Sequence, residues 1–412
     1  MNFSDQIKSI DNALFKNKRP VRRDTIVYFQ NQWDRIGHFS SEIRLLSYVF
    51  NKSIDQIITV LPARSIPVIS RDIRIGIKKI YEANRASYIF INDDAFYSIL
   101  GIFNKFIFPV RSSESGNRYI FGNHNIFQTF DFLASLGHES SYQFSFSLID
   151  HEVSNCFDRH GLSRSHPLVT VSNRESGWTG NWGRYHDFRN CSVKNLRLAV
   201  ETFLANGIQV VRVGDPTQIR FPLENHTGFV DLPFTANYLP GDDAFFIASS
   251  SLHVGPLSGP TDLASTLGKP LLVTNANCAV SRSFEGPNRI EPIFWIPKAY
   301  TDKTNNDKTI SFWDVFTDSE MNEVSNYQDR KIEYHENTED EINEAIKYIL
   351  QGSGGDFSLP INWVNDWIEQ TKVPIFTSSQ MLNASRMSKG LSPFLPAFCD
   401  RYILPPTGPW TK

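Results

Sequence analysis

The segment His253–Asn275, HVGPLSGPTDLASTLGKPLLVTN, carries the residue pattern best suited to holding an anion. A strand is expected to end near Val254. A small-residue turn from Gly255 to Pro260 follows, then a helix capped by Ser258 or Thr261 and stopped at Gly268-Lys269-Pro270. Small residues let a phosphate approach the backbone, and the open N–H groups of a helix start favour negative charge. A plain βα turn with a capped helix has the same pattern, so the chemistry needs support from elsewhere in the chain.

Other reactive side chains fall at expected strand ends. Val171–Trp178 (VSNRESGW) puts Arg174 and Glu175 at one such edge, and Tyr185, His186, Asp187 and Arg189 follow in a loop. Cations and carboxylates gathered there suit phosphate and hydroxyl groups. Arg212, inside a strand, needs a partner for its guanidinium, with Asp215 or Asp187 expected. Asp231 ends the short strand Gly228–Val230 ahead of Leu232-Pro233, which suits a nucleophile or base and equally a turn aspartate. Asp34-Arg35-Ile36-Gly37-His38 follows the first strand and precedes a helix expected to open at Ser40 or Ser41. Gly37 and His38 thus lie where open α/β sheets bind ligands, and His38 suits a base, a ligand contact or a cap of its own loop. Asp93-Asp94 and Asp242-Asp243 read as loop or cap residues, and no metal is expected.

The elements that must position these groups alternate. Strands are expected at Thr25–Phe29, Gln56–Val60, Ser87–Ile91, Val169–Ser172, Gln209–Val213, Phe245–Ala248 and Leu271–Thr274. Helices are expected at Ser41–Val49, Asp72–Tyr81, Val193–Ala205 and Thr261–Leu267. That alternation implies parallel sheets built from βαβ units. A boundary is expected within Arg159–His166, a loop-rich stretch at Tyr300–Thr309, an acidic helix at Asn337–Leu350 and a hinge at Gly352–Gly355. The resulting plan has a first domain over 1–160, a second over 161–352, and an apolar helical segment over 353–412 that packs back on the first.

At 412 residues the chain has room for two domains, and 41% hydrophobic against 21% charged residues is ordinary globular composition. A formal net charge of -3 argues against nucleic acid as a partner. Neither a signal peptide nor an apolar run of about 18 residues is present, so a cytoplasmic protein is expected. Cys156, Cys191, Cys278 and Cys399 are far apart and read as buried free thiols.

Two levels of resemblance follow from these motifs. SGPTDLASTLGKP is similar to the donor-side motif of GT-B glycosyltransferases such as heptosyltransferases, which carry an SGP-x-H-L-A-x-x-L-G-x-P run; Asp262 stands where many of them have histidine. DRIGHFSSEIRLL, VSNRESGW, YHDFRN, VVRVGDP, VDLPF and LSPFLPAF, in this order, resemble glycosyltransferases encoded in bacterial capsule and lipopolysaccharide gene clusters. That family is akin to retaining Kdo transferases of surface glycans. The resemblance spans nearly the whole chain and is weakest over about residues 60 to 160.

It implies an α/β GT-B fold, two Rossmann-like domains facing a cleft, with C-terminal helices crossing back. A sugar would pass from a nucleotide donor to a surface glycan or lipid-linked glycan, without cofactor or metal, at the inner face of the membrane, which other domains or partners would contact. Arg174, Arg212, Gly255, Ser258, Gly259, Pro260, Thr261, Thr274 and Asn275 would bind the donor. Gly37, His38 and Arg189 would bind the acceptor, and Asp231, Glu175 and His186 would be catalytic. The donor implied is CMP-Kdo, with Asp231 as nucleophile of a retaining reaction. Alternatives are an inverting transferase using a nucleotide-diphosphate sugar, a nucleotide-sugar epimerase, and a glycan-binding protein without turnover.

Overall fold

The computed structural model describes residues 25–49, 56–84, 86–103, 118–122, 144–175, 187–215, 219–223, 226–276, 293–310 and 324–353. His186, Cys278, Cys399 and the segment 354–412 lie outside the described residues. The chain divides into two compact units, Met1–Asp150 and His151–Lys412.

In the first unit β1 (Thr25–Phe29) leads into α1 (Ile36–Val49), and β2 (Gln56–Pro62) into α2 (Ile66–Ile69) and α3 (Ile73–Ala83). Then come β3 (Ala86–Ile91), α4 (Asp93–Phe103) and β4 (Arg118–Gly122). The strands form a parallel sheet in the order β3-β2-β1-β4. Ile26, Val27, Tyr28 and Phe29 are all buried. Both faces of β1 are therefore covered, which is why this strand reads as one continuous apolar run. Asp72 caps α3 by accepting from the Arg74 N–H at 3.0 Å, and Ile73, Ile77, Ile80 and Tyr81 form the helix's buried stripe. The helix α1 starts at Ile36, earlier than the sequence suggested, so Gly37 and His38 belong to its first turn.

The second unit begins with α5 (Asp150–Arg159), β5 (Leu168–Val171), α6 (Arg197–Ala205), β6 (Gln209–Arg212) and β7 (Phe229–Asp231). It continues with α7 (Asp242–Ser249), β8 (Leu252–Gly255), α8 (Gly259–Thr266), β9 (Leu271–Ala276) and β10 (Ile293–Pro297). The last elements are β11 (Ala299–Asp302), β12 (Lys308–Ile310), α9 (Val324–Asp329), β13 (Ile332–His335) and α10 (Glu339–Ser353). A parallel sheet runs β10-β9-β8-β5-β6-β7. Its core joins Val169, Val171, Val210, Val254 and Leu272 to Val200 and Phe203 of α6 and Ile342 and Ile346 of α10. A reciprocal capping box starts α10: Thr338 N–H donates to Glu341 Oε2 at 2.9 Å, and Glu341 N–H to Thr338 Oγ1 at 3.2 Å.

Two local expectations are corrected. Phe245–Ala248 is not a strand but the buried middle of α7. A four-residue apolar run has no readable period, and every side chain from Asp242 to Ala248 is buried, so the polar face that marks a helix is missing. Tyr300–Thr309 is not a loop but part of an antiparallel sheet, β12-β11-β13. Its turn uses Asn306 and Asp307 at φ 51° and 58°, a left-handed pair that these side chains tolerate.

Candidate functional site

Each parallel sheet has a point where the chain turns from building one flank to building the other, and such points open a crevice at the carboxyl ends of the strands. In the first sheet it lies beside β1, which pairs with both β2 and β4. In the second it lies beside β5, which pairs with both β6 and β8.

The β8–α8 turn occupies the second crevice. Gly255 ends β8, and a Cβ there would lie 2.3 Å from Ser172 Oγ and 3.0 Å from Ser172 O, so only glycine fits. Ser258 takes the N-cap position of α8 without a side-chain cap bond, and Pro260 fills the first turn. Thr261 does not cap the helix: its hydroxyl donates back to Pro256 O at 2.6 Å. With that proton committed, Thr261 Oγ1 accepts from His253 Nε2 at 3.2 Å. His253 Nδ1 lies 3.0 Å from Thr170 Oγ1, and its ring is fully buried. Burial alone holds the imidazole at a pKa of about 3, hence neutral. His253 therefore braces the turn from below, a role the sequence did not disclose because a histidine in a buried strand has no distinguishing spacing.

Arg189 grips this turn, and two further cations gather at its neighbour Asn190. Arg189 donates to Leu257 O through Nε at 3.1 Å and through Nη2 at 2.6 Å. Arg174 donates to Asn190 Oδ1, and Asn190 Nδ2 donates to Asp187 Oδ1 at 3.0 Å. Burial, then the Arg189 charge, lowers Arg174 to a pKa of about 10. Lys298, just past β10, is buried and donates to Asn190 O at 2.8 Å; burial lowers its pKa too. Lys298 was missed because a single lysine after IFWIP carries no motif. Arg189 lies in the second unit, in the loop that follows β5, as its place in the sequence indicated.

Toward the β6–β7 side the carboxylates are tied down. Arg212 is fully buried and pairs with Asp231 Oδ1 at 2.8 Å, not with Asp215 or Asp187. The register explains the choice, because Arg212 and Asp231 are direct neighbours on adjacent parallel strands. Arg212 Nη2 also donates to Asn173 Oδ1 at 3.0 Å, and Asn173 Nδ2 donates to Glu175 Oε1 at 2.8 Å. The other oxygens of the two acids accept backbone N–H groups, Asp231 Oδ2 from Phe221 at 2.9 Å and Glu175 Oε2 from Ile219 at 2.7 Å.

On β9, Thr274 is buried with no hydrogen-bond partner for its hydroxyl among the described residues. Asn275, at φ 52°, exchanges hydrogen bonds with Asn337: its N–H donates to Asn337 Oδ1 at 2.5 Å and its Oδ1 accepts from Asn337 N–H at 2.8 Å. Asn275 thus fixes the lead into α10. Arg174, Glu175, Arg189, Arg212, Asp231, Gly255, Ser258, Gly259, Pro260, Thr261, Thr274 and Asn275 all belong to the second unit, and Gly37 and His38 to the first.

At the first crevice, Glu42 is fully buried and gathers three donors: the Tyr28 hydroxyl, Gln30 Nε2 at 3.3 Å and His38 Nδ1 at 2.8 Å. Gln30 Nε2 also reaches His38 O at 3.0 Å. His38 keeps 29% of its side chain exposed. A buried carboxylate on one ring nitrogen fixes the tautomer and orientation of an imidazole. Glu42 lies inside the segment DRIGHFSSEIRLL, and its spacing of four from His38 was the signal available.

A cluster of metal-ligand type occurs elsewhere, at Cys156, His160 and Asp242. There Asp242 accepts from Arg159 at 2.5 Å, from His160 at 3.0 Å and from Leu239 N–H at 2.9 Å. Those bonds tie α5 to α7. Cys156 and Cys191 are buried free thiols. No described helix is long and apolar enough to cross a membrane.

The sequence matches no family model and no curated protein. Among solved structures, the chain is similar to the glycosyl transferase family 9 protein of Veillonella parvula, at 12% identity and a TM-score of 0.39 over 62% of this chain and 82% of that one. It is similar to E. coli heptosyltransferase WaaC with ADP, at 10% identity and a TM-score of 0.37 over 64% of this chain and 90% of that one. A third likeness is to E. coli ADP-heptose LPS heptosyltransferase II, at 15% identity and a TM-score of 0.32 over 60% and 84%. Overlap at this level carries no weight for the chemistry, which the chain's own residues decide. The fold class is α/β, with a parallel sheet in each unit.

Proposed function

We propose that this chain is a GT-B glycosyltransferase that moves a sugar from a nucleotide donor to a bacterial surface glycan. The observation that carries the reading is the β8–α8 turn in the second crevice, where Gly255 leaves no room for a side chain, Arg189 grips Leu257 O, and Arg174 and Lys298 both bond to Asn190, the residue after Arg189. Positive charge beside a helix start fits the phosphate of a nucleotide. A sugar phosphate already has a good leaving group. Catalysis then needs charge stabilisation at that phosphate and a base for the acceptor hydroxyl.

The base we assign is His38, oriented by Glu42. This choice favours single displacement with inversion over a retaining reaction through Asp231, because both Asp231 oxygens already hold donors. Glu175 is engaged in the same way. CMP-Kdo remains the donor we propose. The reaction as proposed uses no divalent cation, and the acceptor is a glycan or lipid-linked glycan met at the inner membrane surface.

Mass spectrometry of products from a panel of nucleotide sugars, with and without acceptor glycans and EDTA, tests this reading. A glycosylated acceptor formed at an unchanged rate in EDTA is expected. A changed sugar nucleotide without acceptor would identify an epimerase, and a rate restored by magnesium or manganese would overturn the metal-free mechanism. Gly259→Trp should weaken nucleotide affinity in a folded protein; unchanged affinity by calorimetry would remove the α8 start from the donor site.

A further inference from the structure

The segment 219–221, between β6 and β7, is held at both ends by acids whose remaining oxygens bind Asn173 and Arg212. Glu175 accepts the Ile219 N–H at 2.7 Å and Asp231 accepts the Phe221 N–H at 2.9 Å. Phe221 is buried against Phe229, with ring centroids 5.0 Å apart. The residue clamped between them, Arg220, is exposed, and its guanidinium carbon sits 5.0 Å from the centre of the Phe234 ring. Phe234 also lies 5.6 Å from Arg212, but Asp231 neutralises that arginine.

Arg220 differs from the other cations of this edge. Arg174, Arg189, Arg212 and Lys298 each donate to an oxygen of the chain. For Arg220, contact with the Phe234 ring is what the described residues provide. A ring under a guanidinium fixes its plane and leaves its N–H fork directed outward, the geometry that takes a carboxylate in a bidentate grip.

Strand spacing shows which anion would reach it. The sheet order places β6 two strands and β7 three strands from β8. At about 4.8 Å per strand, Arg220 is on the order of 10 to 14 Å from the turn that leads into α8. Two phosphates joined through one oxygen do not cover that distance, so the partner of Arg220 belongs to another part of the donor. Bases are neutral near pH 7, whereas an acidic sugar carries a carboxylate. Resting on the nucleotide-sugar reading above, we propose that Arg220, seated on Phe234, binds the carboxylate of an acidic donor sugar and selects that donor class.

Calorimetry with two matched pairs, CMP-Kdo against CMP and UDP-glucuronate against UDP-glucose, tests the assignment on wild type, Arg220→Ala and Arg220→Lys. Wild type should bind the acidic member of at least one pair about tenfold or more tightly than its counterpart. Arg220→Ala should abolish that gain while CMP and UDP affinities stay within about twofold, and Arg220→Lys should keep part of it. Phe234→Leu should reduce the gain by unseating the guanidinium. No acidic preference in wild type, or a preference that survives Arg220→Ala, overturns the proposal and leaves the nucleotide-sugar reading standing. Equal weakening of free CMP and UDP by Arg220→Ala would make Arg220 a base or phosphate contact and also overturns it. Failure of wild type to bind any of the four ligands overturns both.

Discussion

At the carboxyl end of β1, one buried acid collects a tyrosine, a glutamine and a histidine, and the histidine is partly exposed. At the carboxyl end of β5 and its neighbours, Arg189 bonds to the β8–α8 turn with Arg174 and Lys298 on the adjoining Asn190, and the acids are spent on Arg212, Asn173 and backbone N–H groups. Both edges arise from the same device, a parallel sheet that changes direction. The side chains hung on that device differ: an acid and a histidine at the first edge, to which we assign proton transfer, and cations at the second, to which we assign the donor's negative charge. The same acid can therefore be catalytic at one edge and structural at the other, and the partners of its oxygens decide which.

The largest effect is expected where the comparison assigns proton transfer. His38→Ala should lower kcat by about 10² to 10⁴ with nucleotide affinity unchanged, because general-base catalysis is worth that range. Glu42→Gln should lower kcat less and shift its pH profile, since Glu42 acts through His38. Single-turnover assays across pH would check both. Near wild-type turnover in a folded His38→Ala protein would leave the first edge without a catalytic role.

Next in size is the Arg212–Asp231 pair. Asp231→Ala removes the carboxylate from a fully buried guanidinium and frees the Phe221 N–H. Losing one partner of a buried pair costs roughly 3 kcal/mol, readable as a lower urea midpoint. Asp231→Asn retains one acceptor oxygen and should cost less. If Asp231→Asn instead keeps full stability, abolishes turnover and leaves nucleotide affinity intact, Asp231 is a catalytic acid after all, and the two edges share the chemistry.

Gly255→Ala comes third. Its Cβ would press on Ser172 and lie 3.3 Å from His253 Nε2, so we expect a cost of about 1 to 3 kcal/mol and weaker nucleotide binding, with the first unit unaffected. Calorimetry and hydrogen exchange read those two consequences separately.

The residues that were legible from sequence share one property: their signal is local. Thr25–Phe29 is apolar throughout because both its faces are buried, and Gly255–Pro260 is small because a turn and a helix start occupy it. What escaped depends on contacts across the sheet. The partner of Arg212 lies 19 residues away, and β-register rather than nearness in the chain selects it. Glu42 gains its meaning from Tyr28 on β1, and Lys298 from Asn190 far upstream. The run Phe245–Ala248 misled for a related reason, since complete burial erases the period that separates helix from strand.

The smallest expected effect sharpens the comparison inside the second unit, where two buried groups respond to acid in opposite senses. Burial lowers His253 from its ordinary 6.5 to about 3. Between those values the unfolded chain binds a proton that the folded chain refuses, so His253 costs stability as pH falls from about 6.5 toward 3. Asp243 is raised by burial from 3.8 to about 6 while its Oδ1 accepts the Gly214 N–H at 3.0 Å. Between 3.8 and 6 the folded chain holds a proton that the unfolded chain has released. Asp243 therefore adds stability as pH falls through that window and takes it away as pH rises. Over the shared window the two terms oppose each other, which flattens the acid response of the wild type. His253→Gln removes the destabilising term and should gain about 1 to 2 kcal/mol relative to wild type between pH 7 and pH 5. Asp243→Asn keeps an acceptor for Gly214 and should lose ground over the same interval. Urea midpoints at pH 7, 6 and 5 measure both differences. Parallel pH dependence in wild type and His253→Gln would mean that His253 is protonated in the folded state, and then it could not brace Thr261 as a neutral donor.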